Sequence, residues 1–195
     1  MKILKISSQN EKEALKAALF YLEKGKTIVF PTDTVYGLLA DVANKEAVDK
    51  IFKIKKRTTK KPVPIFIKDI EMAKKFTKID KEQEEFLKLV WPGRVTIVLK
   101  RKKRKLYGVA PDTIALRIPD YEAVNFLLEK LNLPLVGTSA NISGKLASGN
   151  IKEILNQFKG KKYQPDLVID AGNLPKRKPS TVLDLTVWPP SILRA

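Results

Sequence analysis

Five polar segments, each beside an apolar run, carry residue types that could hold or act on a ligand. Phe30 to Leu38 (FPTDTVYGL) sets three hydroxyls and one acid, Asp33, at the exit of an apolar stretch, where they could grip a small polar molecule. Lys55, Lys56, Arg57, Lys60 and Lys61 crowd five cations into seven residues, enough positive charge to embrace a polyphosphate. Arg117 is a lone charge within the apolar run Ile114–Ile118 and could pair with a carboxylate or phosphate. Thr138 to Gly144 (TSANISG) follows the apolar Leu135–Gly137 and could aim amides and hydroxyls at an anion. Pro179-Ser180-Thr181 repeats the pattern of hydroxyls, now at a strand entry.

Taken singly, each has an ordinary structural explanation. Threonines satisfy turns, a charge run is commonly a solvated face, and alternation can point a strand arginine at water. Two standard nucleotide signatures fail. Between Gly137 and Gly144 stand six residues rather than four, and Leu146, not Ser or Thr, follows Lys145, so there is no P-loop; no GxGxxG occurs either.

Composition narrows the chemistry. The 195 residues contain no Cys and no His, which excludes thiolate catalysis, disulfides, zinc-thiolate sites and the usual base near neutral pH. What remains is Asp, Glu, Lys, Arg, Tyr, hydroxyls, backbone amides or a metal held by oxygens. That inventory suits phosphate chemistry, in which positioning and charge neutralisation dominate. A net charge of +17 points to a polyanionic partner or anionic substrates, or else to the Lys-rich composition of a heat-adapted organism. The N-terminal MKILKISSQNEKEALK has no apolar signal core and no run is long enough to span a membrane, so a cytoplasmic location is expected.

The elements that must position these segments alternate. Asn10 with Glu13 reads as a capping box for a helix bearing Ala14, Leu15, Ala18, Leu19 and Leu22, ended by Gly25. Thr27–Phe30 reads as a strand stopped by Pro31. Asn44 caps a helix with Ala47, Val48, Ile51 and Phe52 inward, whose end delivers Lys55 to Arg57 into a polar turn. Residues 62–67 read as a strand, and Asp80 with Gln83 opens a helix carrying Phe86, Leu87 and Val90. Strands are expected at Val95–Leu99 and Ile114–Ile118, then a helix capped by Asp120, an apolar run at Leu135–Gly137, a helix capped by Asn150, and strands at Leu167–Asp170 and Val182–Leu185. Without repeat or linker, residues 1–195 form one α/β domain, and Pro-bearing strands argue against a purely parallel sheet.

In order along the chain, FPTDTVYGL, KxR with KP (Lys55, Arg57, Lys61-Pro62), AxRIP (Ala115 to Pro119), SANISG and PSTVLD resemble the YrdC family of L-threonylcarbamoyladenylate synthases, over about residues 10–195. The resemblance implies a twisted mixed α/β sheet with flanking helices and a concave basic face. It implies that L-threonine, bicarbonate or carbon dioxide and ATP are joined into threonylcarbamoyl-AMP with release of pyrophosphate, with Mg2+ bridging the phosphates and few or no protein ligands to it. A separate downstream transferase then modifies tRNA. By position, Lys55 and Arg57 would be catalytic; Thr34, Arg117, Ser139 and Ser180 would hold threonine; Arg57, Lys61, Thr113, Asn141 and Arg194 would hold ATP. No protein metal site is expected.

The chain departs from the family pattern at Phe66, where a His is usual, at Arg94, where PGP is usual, and at Gly149, where a hydroxyl is common. Longer relatives carry a further C-terminal domain, which is not expected here. A competing reading is a non-catalytic module for tRNA or double-stranded RNA, with KRKKRK (100–105) and PKRKP (175–179) as phosphate contacts. Carbamoyl-adenylate chemistry of hydrogenase maturation proteins is set aside, because those are far longer and carry Cys-rich zinc fingers. Because a cationic turn should be solvent-exposed, Arg57→Ala is expected to impair ATP use more than folding.

Overall fold

The computed structural model describes residues 1–7, 9–59 and 61–195, so Lys60 of the cationic segment lies outside the described residues. In chain order the elements are β1 (Lys2–Lys5), α1 (Glu11–Glu23), β2 (Ile28–Phe30), β3 (Gly37–Asp41), α2 (Lys45–Lys55), β4 (Ile65–Phe66), α3 (Ile70–Phe76), α4 (Lys81–Val90), β5 (Val95–Lys100), β6 (Thr113–Arg117), α5 (Glu122–Leu131), β7 (Leu135–Ser139), α6 (Ile151–Phe158), β8 (Leu167–Asp170), β9 (Thr181–Asp184) and β10 (Ser191–Arg194). The ten strands form one sheet in the order β1-β8-β2-β3-β7-β4-β6-β5-β9-β10. Pairing is mixed, as the sequence leads one to expect: β1, β8 and β2 run parallel, β3 and β7 antiparallel to their neighbours, β5 and β9 parallel.

Strict period-two alternation gives the sheet two apolar faces. Val29, Leu38, Ala40, Ile65, Leu116, Val136 and Val168 point to one side, where α2, α3, α4 and α6 pack through residues such as Ile51, Met72, Leu87 and Phe158. Their strand neighbours Ile28, Phe30, Leu39, Phe66, Leu135, Leu167 and Ile169 point to the other, where α1 and α5 cover them with Ala14, Ala18, Leu22, Val124 and Leu128. β4 is two residues rather than the six expected from the sequence. Pro62 and Pro64 have no N–H to donate to a ladder, so pairing begins only at Ile65.

Three helix starts follow the sequence reading: Asn44 accepts from Ala47 N (3.0 Å), Asp80 and Gln83 form a capping box, and Asn150 accepts from Lys152 N (2.9 Å). Two do not. The Asn10 side chain turns back, accepting from Ser7 N and donating to Lys5 O, so it secures the β1–α1 link and caps nothing. Asp120 lies one residue too early, because Tyr121 precedes the first turn of α5. The Asp120 amide is instead directed at the Asp33 carboxylate, 3.3 Å away.

Candidate functional site

Helices α1 and α5 cover only part of their face of the sheet. Beyond β4 that face is carried by β6, β5 and β9, and the residues that alternation turns toward it are no longer large and apolar. They are Ala115 and Arg117 on β6, Thr96 on β5 and Val182 on β9, with Ser180 just before β9. With Thr34, Arg57, Gly137, Ser139, Asn141 and Arg194 they line a cavity of about 480 Å3. A smaller cavity of about 280 Å3 adjoins it, lined by Lys55, Arg57, Lys61, Ser139 and Asn141 among others. Arg57, Ser139 and Asn141 belong to both. Nine of the ten expected site residues thus line one cavity or the other, and neither contains a carboxylate. Thr113 lines neither; it faces the same side two residues before Ala115, beyond the rim.

Arg117 is not turned to solvent. It is 3% exposed, and its guanidinium is held by three hydrogen bonds: Nε donates to Gly93 O (2.8 Å), Nη1 to the Thr34 hydroxyl (3.5 Å) and Nη2 to the Asp33 carboxylate (2.5 Å). Burial pushes the guanidinium below its ordinary value, and Asp33 opposes that shift. Arg94 and Arg194 add to the lowering, so the Arg94 departure does place positive charge beside the site. Asp33 is 4% exposed, Oδ1 has no partner, and its carbonyl accepts from Arg177 of the 175–179 loop. Sequence reasoning noted Asp33 as an acid and gave it no role, since its partner is 84 residues away.

Phe66 forms part of the wall, its ring 5.8 Å from the Arg117 guanidinium carbon. It fits there because residue 137 is glycine: a Cβ at Gly137 would fall 2.4 Å from the ring. Gly149, the third departure, lines neither cavity. Its carbonyl accepts from Leu174 N (2.9 Å), and its bare Cα lets the 171–180 segment approach, a Cβ there lying 3.2 Å from Leu174. That segment is also fastened by Tyr36, fully buried, whose hydroxyl donates to Gly172 O and accepts from Ala171 N. Burial pushes the Tyr36 hydroxyl up to about 12, so it remains a donor at any working pH.

At the opposite end, Lys55 is 2% exposed at the C-terminus of α2. Its ammonium donates to Ser139 O, to Asn141 O (3.0 Å) and to Asn141 Oδ1 (3.1 Å), which uses all three of its N–H groups. Burial, with Arg57 beside it, pushes this lysine down to about 7. Asn141 Oδ1 also accepts from the Ser139 hydroxyl (2.6 Å), and its Nδ2 donates to Lys145 O (2.6 Å). Lys55 is therefore less a projecting cation than the peg that shapes the Ser139–Lys145 loop. The cationic turn is exposed at Lys56, Thr58, Thr59 and Lys61, as expected, and departs from that expectation only at Lys55 and, in part, at Arg57. Arg57 is half-buried, and it clamps the turn through Nε to Lys61 O (2.9 Å) and Nη2 to Pro62 O (2.8 Å).

The remaining wall is a hydroxyl cluster. Ser180 and Thr96 share a hydrogen bond of 2.8 Å, and Arg194 on β10 donates to Ser180 O and Oγ. Opposite, Thr32 and Thr34 share one of 3.1 Å. Three guanidinium groups and several hydroxyls thus surround a space able to hold an anion and a small polar molecule side by side.

A family model named for Sua5, YciO and YrdC and described as telomere recombination matches residues 21–195. The threonylcarbamoyl-AMP synthase of Pyrococcus abyssi (strain GE5 / Orsay) is 36% identical over 196 residues, 98% of this chain and 56% of that protein. The threonylcarbamoyl-AMP synthase of Bacillus subtilis (strain 168) is 31% identical over 191 residues, 96% of this chain and 54% of that one. The crystal structure of P. abyssi Sua5 complexed with L-threonine superposes with a TM-score of 0.86 at 34% identity, covering 100% of this chain and 57% of that one. The chain spans about half the length of each of these relatives.

Proposed function

The chain belongs to the Sua5/YciO/YrdC family, and from that premise we propose that it is an L-threonylcarbamoyladenylate synthase, a nucleotidyltransferase that makes threonylcarbamoyl-AMP and pyrophosphate for tRNA modification. The observation that carries this reading is the convergence of Arg57, Arg117 and Arg194 with Thr34, Ser139 and Ser180 on one carboxylate-free cavity. Threonine would sit at the Asp33 end, its carboxylate on the two N–H groups of Arg117 that protein contacts leave over, with Thr34, Ser139 and Ser180 around its polar atoms. ATP would extend toward the smaller cavity, with Arg57, Lys61 and Asn141 at its phosphates, Arg194 at the wall and Thr113 beyond the rim.

The neutral amine of threonine attacks the carbon of carbon dioxide and releases a proton to water, giving an N-carboxylate; bicarbonate gives the same group with loss of a water molecule. An oxygen of that group attacks the α-phosphorus, and the bond to the β-phosphate oxygen breaks as pyrophosphate departs. No side chain serves as nucleophile or base. The protein contributes alignment and positive charge against the charge that gathers on the leaving phosphates. With no carboxylate in either cavity, side chains do not fit a protein-held metal; Mg2+ would arrive on the phosphate oxygens of ATP.

Among the described residues no helix is long and apolar enough to cross a membrane, which accords with a cytoplasmic enzyme that hands its product to a separate transferase. The test is direct. Incubated with ATP, Mg2+, L-threonine and bicarbonate, the protein should release pyrophosphate only when threonine is present. Folded protein that releases none, or releases it regardless of threonine, would refute the assignment.

A further inference from the structure

A third cavity, of about 550 Å3, lies outside the site just described, at the far end of β5 and β9. From Thr96 in the first cavity to Lys100 in this one is about 13 Å along β5. Its walls are Lys78, Lys100 and Lys102 on one side, and Leu185, Thr186, Val187 and Trp188 on the other. The lysines are brought together by backbone pairing: Lys78 N donates to Lys100 O (3.0 Å) and Lys102 N to Phe76 O (2.7 Å). The opposite wall is fixed by Gln83 Nε2 donating to Leu185 O (2.8 Å).

Two properties of this cavity call for a ligand. First, it pairs uncompensated charge with an uncovered ring. No ion pair among the described residues includes Lys78 or any cation of residues 100–105, whereas Lys74 and Lys88 nearby are paired with Glu71, Glu84 and Glu85. The carboxylate in the wall, Asp80, is turned to Gln83 N as a helix cap. Second, Trp188 is 51% exposed although it is large and apolar, and it is not loose: its ring meets Phe86 edge to face at 6.1 Å. A held indole with open surface, bordered by lysines outside any described ion pair (the Lys102 ammonium donates to Lys74 O, 2.6 Å) that continue into Lys103, Arg104 and Lys105, is a platform for a flat apolar group carried on a polyanion.

We propose that this cavity binds a single-stranded RNA segment, with a base stacked on Trp188 and the flanking phosphates on Lys78, Lys100 and Lys102. The inference does not depend on the reaction proposed above. It also divides the two basic segments of the sequence. Residues 100–105 adjoin this cavity, whereas Arg177 of the other segment is bound to Asp33 at the first.

The test measures binding of the whole protein to a fluorescent oligouridine 12-mer and to an RNA duplex of equal length, over a range of salt. Trp188→Ala is expected to weaken oligouridine binding about tenfold, Trp188→Phe to retain most of it, and Lys100→Ala with Lys102→Ala to lower the salt slope by about 1.4. Oligouridine should quench the indole emission of the wild type but not that of Trp188→Phe, since Trp91 is only 5% exposed. The duplex should be indifferent to Trp188. Unchanged affinity in Trp188→Ala with loss only in the lysine variants would reduce the surface to a plain polycation and overturn the proposal. Equal effects on duplex and single strand would overturn it too. The quenching comparison keeps the test decisive if Trp188→Ala folds poorly.

Discussion

The two ends of the candidate site, Arg117 in the larger cavity and Lys55 in the smaller one, each bury a cation almost completely and solve the resulting problem differently. Arg117, 3% exposed, has a full negative charge beside it in Asp33. Lys55, 2% exposed, has only the neutral oxygens of Ser139 and Asn141. An ion pair compensates charge with charge, so the guanidinium stays protonated and its surroundings are electrically closed. Carbonyl dipoles compensate less fully, so the ammonium is positive in acid and is discharged as pH rises through about 7. One end holds its charge fixed; the other is an adjustable source of charge.

The sharpest break of this contrast is Arg117→Ala. It strands the Asp33 carboxylate in a buried place where Oδ1 already lacks a partner, so a loss of about 3–5 kcal/mol is expected. At roughly 2–4 °C per kcal/mol for a chain of this size, the melting temperature should fall by about 6–20 °C in calorimetry. A fall below about 2 °C would mean that water reaches the pair. Lys55→Met should cost less, about 1–3 kcal/mol, because it orphans neutral oxygens and no charge, while threonine-dependent pyrophosphate release drops sharply as the Ser139–Lys145 loop loses its peg. If it melted lower than Arg117→Ala, the ranking of the two ends would be reversed.

The smallest effect concerns pH. A lysine is charged below its pKa, and burial has brought that of Lys55 to about 7. On the function proposed above, the positive charge it adds beside Arg57 would be present in mildly acid solution and fade as pH rises through about 7. The profile of kcat/KM for ATP should bend downward there, and Lys55→Arg, which keeps its charge, should remove the bend even if it lowers the plateau. A wild-type profile that stays flat between about pH 6 and 9 would show that the three oxygens hold the proton firmly after all.

Much of this arrangement was legible in the sequence because it rests on local signals. Asn44, Asp80 and Asn150 announce their helices by side chains that reach two or three residues ahead. The site segments are likewise local strings, and nine of ten expected residues line the cavities. What escaped depends on distant partners or on brevity. The Asp33–Arg117 pair joins positions 84 apart, and the Lys55–Asn141 bond joins positions 86 apart. Lys55 was read within an exposed charge run because five cations hide the one that points inward. β1 and β10, four residues each and largely exposed, have no apolar alternation to betray them, and β3 was masked by the polar segment that runs into it. α3, of seven residues, is too short for a periodic stripe.

The strand order β1-β8-β2 sets a strand from late in the chain between two from its beginning, and β4 and β5 likewise have β7 and β9 as neighbours. Pairings of such long range form slowly and late, since closing large loops costs entropy before any contact repays it. The first cavity draws its walls from β6, β7 and β9 at once, so no half-folded intermediate contains it. Occupancy is then a reporter of the finished protein: a bound nucleotide or amino acid should slow hydrogen exchange at the most protected amides, those that open only in global unfolding, and leave the fraying of β1 untouched.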